Sequence, residues 1–194
     1  MINQRVWEQG VSLEEYVNQM NVFQTQMRQR IKNIYITSAE FDRFKKIDEP
    51  IKILVMAEDN CKDSLMNIPI IAKISEASPK IELRIFDRSK FPELWEDFRA
   101  QGFVNIPICW MMKEDFTRVG VWVERPKKAY RMIEDWKREN PEFEAIKQDG
   151  SLSDDEKQLK LKPYMDQLLD EMWNWYDTEL QSETVKELFD QLNK

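Results

Sequence analysis

Between residues 51 and 139, short continuous apolar runs alternate with segments whose apolar residues recur at helical spacing. A run of four to eight branched apolar residues is typical of a buried strand, whereas steps of three and four indicate a helix with one apolar face. Strands joined by helices favour parallel pairing, and a short polar turn favours an antiparallel hairpin. We therefore predict an α/β fold with a mixed four-stranded sheet, its first three strands parallel and helices on both faces. The predicted strands are residues 51–57, 81–86, 106–112 and 117–124, and the helices are 61–77, 92–102 and 126–139.

The flanking segments are helical in pattern. Ser12 and Glu15 form a capping-box signature, and the apolar stripe from Leu13 to Ile31 predicts one helix of about five turns. At the other end, residues 148–155 are interpreted as a polar linker or as a capped helix start, and two amphipathic helices are expected after Pro163. The predicted organisation is a helical N-terminal segment (1–49), the α/β domain (50–139) and a helical extension (140–194). The extension holds 6 lysines and 14 acidic residues, a charge of −8, so the rest of the −7 chain carries +1.

The composition excludes several kinds of chemistry. The chain contains no histidine and two cysteines, which rules out His-dependent catalytic triads, His-containing zinc sites and four-thiolate metal sites within one chain. No cofactor or metal is expected. The acidic balance argues against nucleic acid as a partner, and no apolar stretch is long enough to cross a membrane or act as a secretory signal. We expect a cytoplasmic protein, where a Cys61–Cys109 disulfide is disfavoured. The oligomeric state is left open.

The cysteines therefore mark where chemistry is to be sought. Cys61 is predicted at the N-terminus of the helix that follows the first strand, where unpaired amides and the helix dipole stabilise a thiolate. Lys62 adds a nearby cation, whereas Asp63, Asp59 and Glu58 act in the opposite sense, so the sequence leaves the net activation of the thiol open. Cys109 lies within a predicted strand and is interpreted as a small buried hydrophobic residue, with a Cys61–Cys109 redox pair as the alternative.

This arrangement resembles the thioredoxin superfamily. Cys61 follows the first central strand, Pro69 interrupts the helix after it, and Ile106-Pro107 opens a later strand. The resemblance implies a cis peptide bond before Pro107 and a reactive Cys61 beside it. A closer similarity is to a bacterial thioredoxin-like branch marked by Glu-Asp-Trp-Cys-Gly-Asp and a small residue, which residues 58–64 match except at Asn60 and Lys62.

The chain departs from thioredoxin at the position of the second cysteine, where Ser64 stands, and Asn60 replaces the preceding tryptophan. Without a resolving thiol, a mixed disulfide on Cys61 cannot be released internally. Monothiol thiol–disulfide exchange remains, with a protein or low-molecular-weight thiol or disulfide as partner. Ser64 is then a hydrogen-bond donor to the thiolate, and a substrate groove is formed by Asn60, Lys62, Asp63 and Ile106. The alternative is a non-catalytic interaction module on the same fold. Iron–sulfur cluster carriage, as in monothiol glutaredoxins, is a weaker analogy, because their Cys-Gly-Phe-Ser motif differs from residues 61–64 at both middle positions.

Overall fold

The computed structural model describes residues 2–193 and contains one four-stranded sheet. The strands are β1 (Ile51–Ala57), β2 (Ile81–Asp87), β3 (Ile108–Lys113) and β4 (Arg118–Val123), in the spatial order β2-β1-β3-β4. β1 is parallel to β2 and antiparallel to β3, and β3 is antiparallel to β4. The predicted α/β class, mixed sheet and hairpin are confirmed.

The predicted direction of the third strand is wrong. Ile108, the first residue of β3, is paired with Met56 near the end of β1, so β3 begins at the edge of the sheet where β1 ends. The helix before β3 therefore does not return the chain to the opposite edge, and the strand runs back antiparallel. A helix between two strands favours a parallel crossover but does not require one.

Ten α-helices and one π-helical turn are present in residues 2–193. The helices are α1 (Gln4–Trp7), α2 (Leu13–Gln19), α3 (Gln24–Asn33), α4 (Ser38–Lys45), α5 (Lys62–Ser75), α6 (Pro92–Ala100), α7 (Lys127–Glu139), α8 (Pro141–Gln148), α9 (Asp154–Trp175) and α10 (Gln181–Leu192), and the π-helical turn is Tyr176–Leu180. None of the described helices combines the length and apolar character needed to span a bilayer.

The N-terminal stripe does not form a single helix. Ser12 caps α2 with the expected capping box, but α2 ends at Gln19 and α3 begins after Phe23, whose φ of 56° lies in the left-handed region. The segment between the two helices is held from a distance, because the backbone amides of Asn21 and Val22 donate to Asp59 Oδ2 at 2.7 and 3.1 Å.

The helices after residue 140 also differ from the prediction. Helix α8 is not among the predicted helices, and Pro163 lies inside α9 instead of preceding a helix. The capped helix start within residues 148–155 is confirmed, because α9 begins at Asp154 on a Ser153 capping box. The expected separation near residues 181–182 is a π-helical turn that leads directly into α10.

The chain forms two compact units. Residues up to Arg125 and from Gln181 onward make up the first unit, and Pro126–Leu180 make up the second. The division into three segments stays a prediction. Among the described residues, α10 belongs to the same compact unit as the sheet, although it lies in the predicted C-terminal extension. In the first unit α10 packs on β4 and α5. The ring of Phe189 on α10 contacts the ring of Phe44 on α4 edge-on, with 5.5 Å between the ring centroids.

The free edge of β2 is occupied by the N-terminal segment. Val11 and Ile85 exchange two backbone hydrogen bonds of 3.0 and 2.8 Å, and the Arg84 guanidinium donates to the carbonyls of Glu8 and Gly10. Just before this segment, Trp7 is buried in the same core cluster as Met56 and Phe86. Residues 7–11 are thus part of the sheet and its core.

Candidate functional site

Cys61 is the N-cap residue of α5, as predicted. β1 ends at Ala57, a short turn follows, and the chain enters α5 at Lys62. The Ser64 amide donates to Cys61 Sγ at 3.4 Å, and the thiol donates to the Ile106 carbonyl at 3.6 Å. The side chain of Cys61 is half-buried.

The antiparallel direction of β3 brings the Ile106-Pro107 pair to Cys61. Since β3 starts beside the end of β1, the residues just before it lie at the edge of the sheet where α5 begins. The Ile106–Pro107 peptide bond is cis. The Glu124 amide donates to the Pro107 carbonyl at 2.8 Å and ties this segment to the end of β4. A parallel β3 would have placed Pro107 at the opposite edge of the sheet, away from the thiol.

The residues predicted to form a groove separate into two pairs. Asn60 is exposed and Lys62 is partly exposed, so both can meet an approaching molecule. Ile106 and Asp63 are buried, with 8% and 7% of their surfaces exposed. Ile106 reaches the thiol through its carbonyl oxygen, whereas Asp63 turns toward the interior of the protein.

The two acidic residues before Asn60 are structural anchors. Glu58 forms a bidentate ion pair with Arg88, with N–O distances of 2.7 and 2.5 Å, and Asp59 holds the segment between α2 and α3 as described above. These contacts fix the turn that presents Cys61.

The environment of the thiol opposes the activation expected from the helix N-terminus. Burial raises the pKa of the Cys61 thiol above its ordinary value, and the charge of Asp63 raises it further, while Ser64 acts in the lowering direction. Burial therefore outweighs the stabilisation of a thiolate by the local amides, and Cys61 is mainly a neutral thiol at pH 7.

Asp63 belongs to a buried ion-pair network that the sequence did not reveal. Arg125 Nη2 lies 2.5 Å from Asp63 Oδ2 and 2.5 Å from Glu124 Oε1, so two carboxylates share one guanidinium. Asn105 donates to the other oxygen of Glu124 at 2.7 Å. Burial raises the pKa of Asp63 to about 7, with Glu124 adding to the rise and Arg125 opposing it. In a chain without histidine, this carboxyl titrates where an imidazole would.

Helix α10 supports the same region. The Thr184 hydroxyl donates to Asn67 Oδ1 at 3.1 Å, and Asn67 Nδ2 donates to the carbonyls of Asp63 and Glu124 at 3.0 and 3.3 Å. The side chains of Thr184 and Asn67 are both fully buried. The helix following Cys61 is thereby linked to a tail helix more than 100 residues away in sequence.

Three buried polar atoms close to the thiol have no hydrogen bond within residues 2–193: Ser64 Oγ, Asp63 Oδ1 and Tyr16 Oη. Burial raises the pKa of Tyr16, and the negative charges of Asp87, Asp59 and Cys61 add to it. A buried polar group without a partner is costly, so such atoms in a native structure are usually accounted for by function or by bound water. No group of three metal-ligating side chains occurs among the described residues.

Cys109 lies in the core, as predicted. It is fully buried and unpaired, and burial raises the pKa of its thiol. Cys109 is paired with Val55, whereas Met56 and Ile108 are a neighbouring pair. Because side chains alternate along a strand, Cys109 points to the other face of the sheet from Ile108, whose cluster Cys61 packs against. The arrangement does not favour the alternative of a Cys61–Cys109 redox pair.

Comparison with known proteins supports the superfamily resemblance. A family model described as thioredoxin matches residues 10–137. A protein of unknown function, PA1234 from Pseudomonas aeruginosa, is similar in structure with a TM-score of 0.64 and 17% identity, covering 100% of this chain and 98% of its own. An HIV epitope scaffold gives a TM-score of 0.63 at 18% identity with the same coverage. These two structures share the fold. Comparison with curated proteins gave no match.

Proposed function

The chain belongs to the thioredoxin family, and on that premise we propose that it is a monothiol thiol–disulfide oxidoreductase with Cys61 as the reacting thiol. By its resemblance over residues 58–64, we assign it to the bacterial thioredoxin-like branch described above. We propose the cytoplasm as its location, where thiols are kept reduced.

One observation carries the proposal. The Cys61 sulfur is half-buried at the start of α5, beside the cis Ile106–Pro107 bond, and accepts a hydrogen bond from the Ser64 amide. The same backbone amide can stabilise a thiolate when the proton is lost. Cys109 faces the other side of the sheet, so a disulfide formed on Cys61 has to be resolved by an external thiol.

The reaction proceeds in two exchanges. The Cys61 thiolate attacks one sulfur of a disulfide, forming a mixed disulfide and releasing the other sulfur as a thiolate. A second thiolate from solution then attacks the partner's sulfur in the mixed disulfide, which frees Cys61 and forms a new disulfide. The net change is the exchange of one thiolate: the external thiolate takes the place of the released sulfur in a new disulfide, and Cys61 is unchanged at the end.

Exposure to glutathione disulfide at pH 8.5, followed by intact-mass measurement, tests this function. The wild-type chain and Cys109→Ala should each gain one glutathione, which added thiol removes, and Cys61→Ser should gain none. A disulfide-containing peptide used in parallel separates protein from low-molecular-weight partners. Absence of any adduct on folded wild-type protein, under conditions that modify the unfolded chain, would overturn the proposal.

The raised pKa of Cys61 favours a second candidate function, a non-catalytic interaction module using the same fold. A neutral thiol at pH 7 exchanges slowly, and Asn60 and Ser64 remove two features of the thioredoxin motif. The discriminating measurement is the alkylation rate of Cys61 relative to a free cysteine peptide across pH. A rate that stays below that of the peptide up to pH 9, together with no mixed disulfide, supports the interaction module.

A further inference from the structure

The carboxylate next to the reactive thiol is held in an unusual way. Asp63 is in the first turn of α5, two residues after Cys61, and only 7% of its surface is exposed. One oxygen, Oδ2, pairs with Arg125, while Oδ1 has no hydrogen bond in the described part of the chain. An unpartnered carboxylate oxygen in the interior favours binding a proton there.

The charges around Asp63 come from several elements. Arg125 and Glu124 follow β4, Lys62 lies on the same helix, and Cys61 caps it. Helix α10 contributes the uncharged Thr184 through Asn67, and the Glu187 carboxylate on that helix accepts from the Trp122 indole. Helix α3, which also packs on α5, carries the buried Arg30. With one guanidinium already shared by the carboxylates of Asp63 and Glu124, a further negative charge beside Asp63 is costly.

The thiolate of Cys61 would be that further charge. The negative charge of Asp63 already opposes ionisation of the thiol, and by reciprocity a thiolate opposes ionisation of Asp63. Two groups that repel one another in this way titrate as a pair.

We propose that Asp63 compensates the charge of Cys61, taking up a proton from solvent when the thiol releases one, so that the pair carries a single negative charge before and after. This inference deepens the proposed thiol chemistry and rests on it. No proton is gained or lost overall by the pair: the state with a carboxylate and a thiol becomes the state with a carboxylic acid and a thiolate. Asp63 is therefore a positioning residue: it acts through Cys61, whose charge it balances, and it does not contact the substrate.

The pH profile of Cys61 alkylation by iodoacetamide, followed on the full chain by site-resolved mass spectrometry, tests the inference. The wild-type profile should show an inflection near neutral pH in addition to that of the thiol. Asp63→Asn should remove the neutral inflection and raise the rate by about twofold at pH 7, where Asp63 is already half protonated, and by roughly tenfold at pH 8, an effect of the size expected when one neighbouring like charge is removed.

Two further variants give opposite signs. Glu124→Gln removes a charge that raises the pKa of Asp63, so the neutral inflection should move to lower pH. Arg125→Gln removes the charge that opposes the rise, so the inflection should move to higher pH. Asp59→Asn is the matched control, because it removes a carboxylate near Cys61 that is engaged elsewhere and should leave the neutral inflection in place.

An Asp63→Asn profile that retains the neutral inflection would overturn the inference, as would shifts of the same sign in the Glu124 and Arg125 variants. Circular dichroism of each variant verifies folding, and Glu124→Gln alone suffices if Arg125→Gln does not fold. Alkylation requires no disulfide substrate. A failure of mixed-disulfide formation with these profiles intact would therefore count against the proposed function and not against charge compensation.

Discussion

The start of α5 differs from the starts of α2, α4 and α9, although all four helices use the same cap geometry. In the other three, a hydroxyl of Ser12, Thr37 or Ser153 accepts from the amide three residues later, and the carboxylate of a glutamate at that position accepts from the backbone amide of the cap residue. At α5 the acceptor is the Cys61 sulfur, and Ser64 stands where the glutamate would be. The three capping boxes satisfy backbone amides at the helix start and so stabilise the helix. The fourth start gives up the better acceptor and the returning carboxylate, as is expected where a local rule is broken for function.

The largest expected effect comes from placing a second thiol in the first turn of α5. In Ser64→Cys the new sulfur is carried by the residue whose amide lies 3.4 Å from Cys61 Sγ, so a disulfide between positions 61 and 64 should form. With glutathione disulfide, the adduct that accumulates on the wild type should be replaced by an internal disulfide, seen by intact mass as a loss of two hydrogens. Ser64→Ala is the control and should still accumulate the adduct. Equal adduct levels in Ser64→Cys and wild type would contradict the cap geometry.

The next largest effect concerns stability and pH. In the folded chain the pKa of Asp63 is about 7, raised from an ordinary value of 3.8. Between these two values the folded state binds a proton that the unfolded state releases, so this group makes stability fall as pH rises through that window. Asp63→Asn should lack this fall, which is on the order of a few kcal/mol since one pKa unit corresponds to about 1.4 kcal/mol.

Urea denaturation of wild type and Asp63→Asn at pH 5 and pH 8 measures this difference, because groups that do not interact with Asp63 contribute equally to the two proteins. The capping-box carboxylates have the opposite sign: hydrogen bonds from Ser12 lower the pKa of Glu15. Parallel pH slopes for the two proteins would show that Asp63 does not titrate as described.

The smallest expected effect is on the caps themselves. Ser12→Ala removes a hydroxyl acceptor and should cost about 1 kcal/mol of unfolding free energy. Cys61→Ser exchanges a sulfur for a better acceptor at the same position and should change stability by less than half of that. Urea titrations at pH 7 compare the two, and a loss for Cys61→Ser as large as that for Ser12→Ala would indicate that the sulfur packing, and not the cap, stabilises the start of α5.

Local signals in the sequence accounted for much of the fold. The branched apolar run at 51–57 gave β1 with its observed bounds, and the Ser12 capping box gave the start of α2. The break after α2 had no such signal, because Phe23 adopts a left-handed conformation without a glycine and the adjacent amides are satisfied by Asp59 from far along the chain. Long-range hydrogen bonds of this kind leave no periodic pattern.

The candidate site was predictable in its residues but not in its electrostatics. The positions of Cys61, Ser64 and Pro107 followed from the motif spacing and the family resemblance. The local argument from the helix N-terminus predicted thiolate stabilisation, yet tertiary burial determines the direction of the pKa of Cys61. Likewise, Asp63 looked like a surface residue of a groove. Its ion pair with Arg125 joins residues 62 positions apart, and only the folded chain brings them together.

The hydrogen bonds between Val11 and Ile85 affect how the chain can be truncated and whether the β2 edge can pair with another chain. An exposed strand edge is a template for pairing with another chain, and here the centre of the β2 edge is already taken. A fragment limited to the family match at residues 10–137 would keep Val11 but lose the buried Trp7 and all of α10. Such a fragment would expose apolar surface on the sheet and lose the Thr184 contact to the helix that Cys61 caps, so functional work calls for the whole chain.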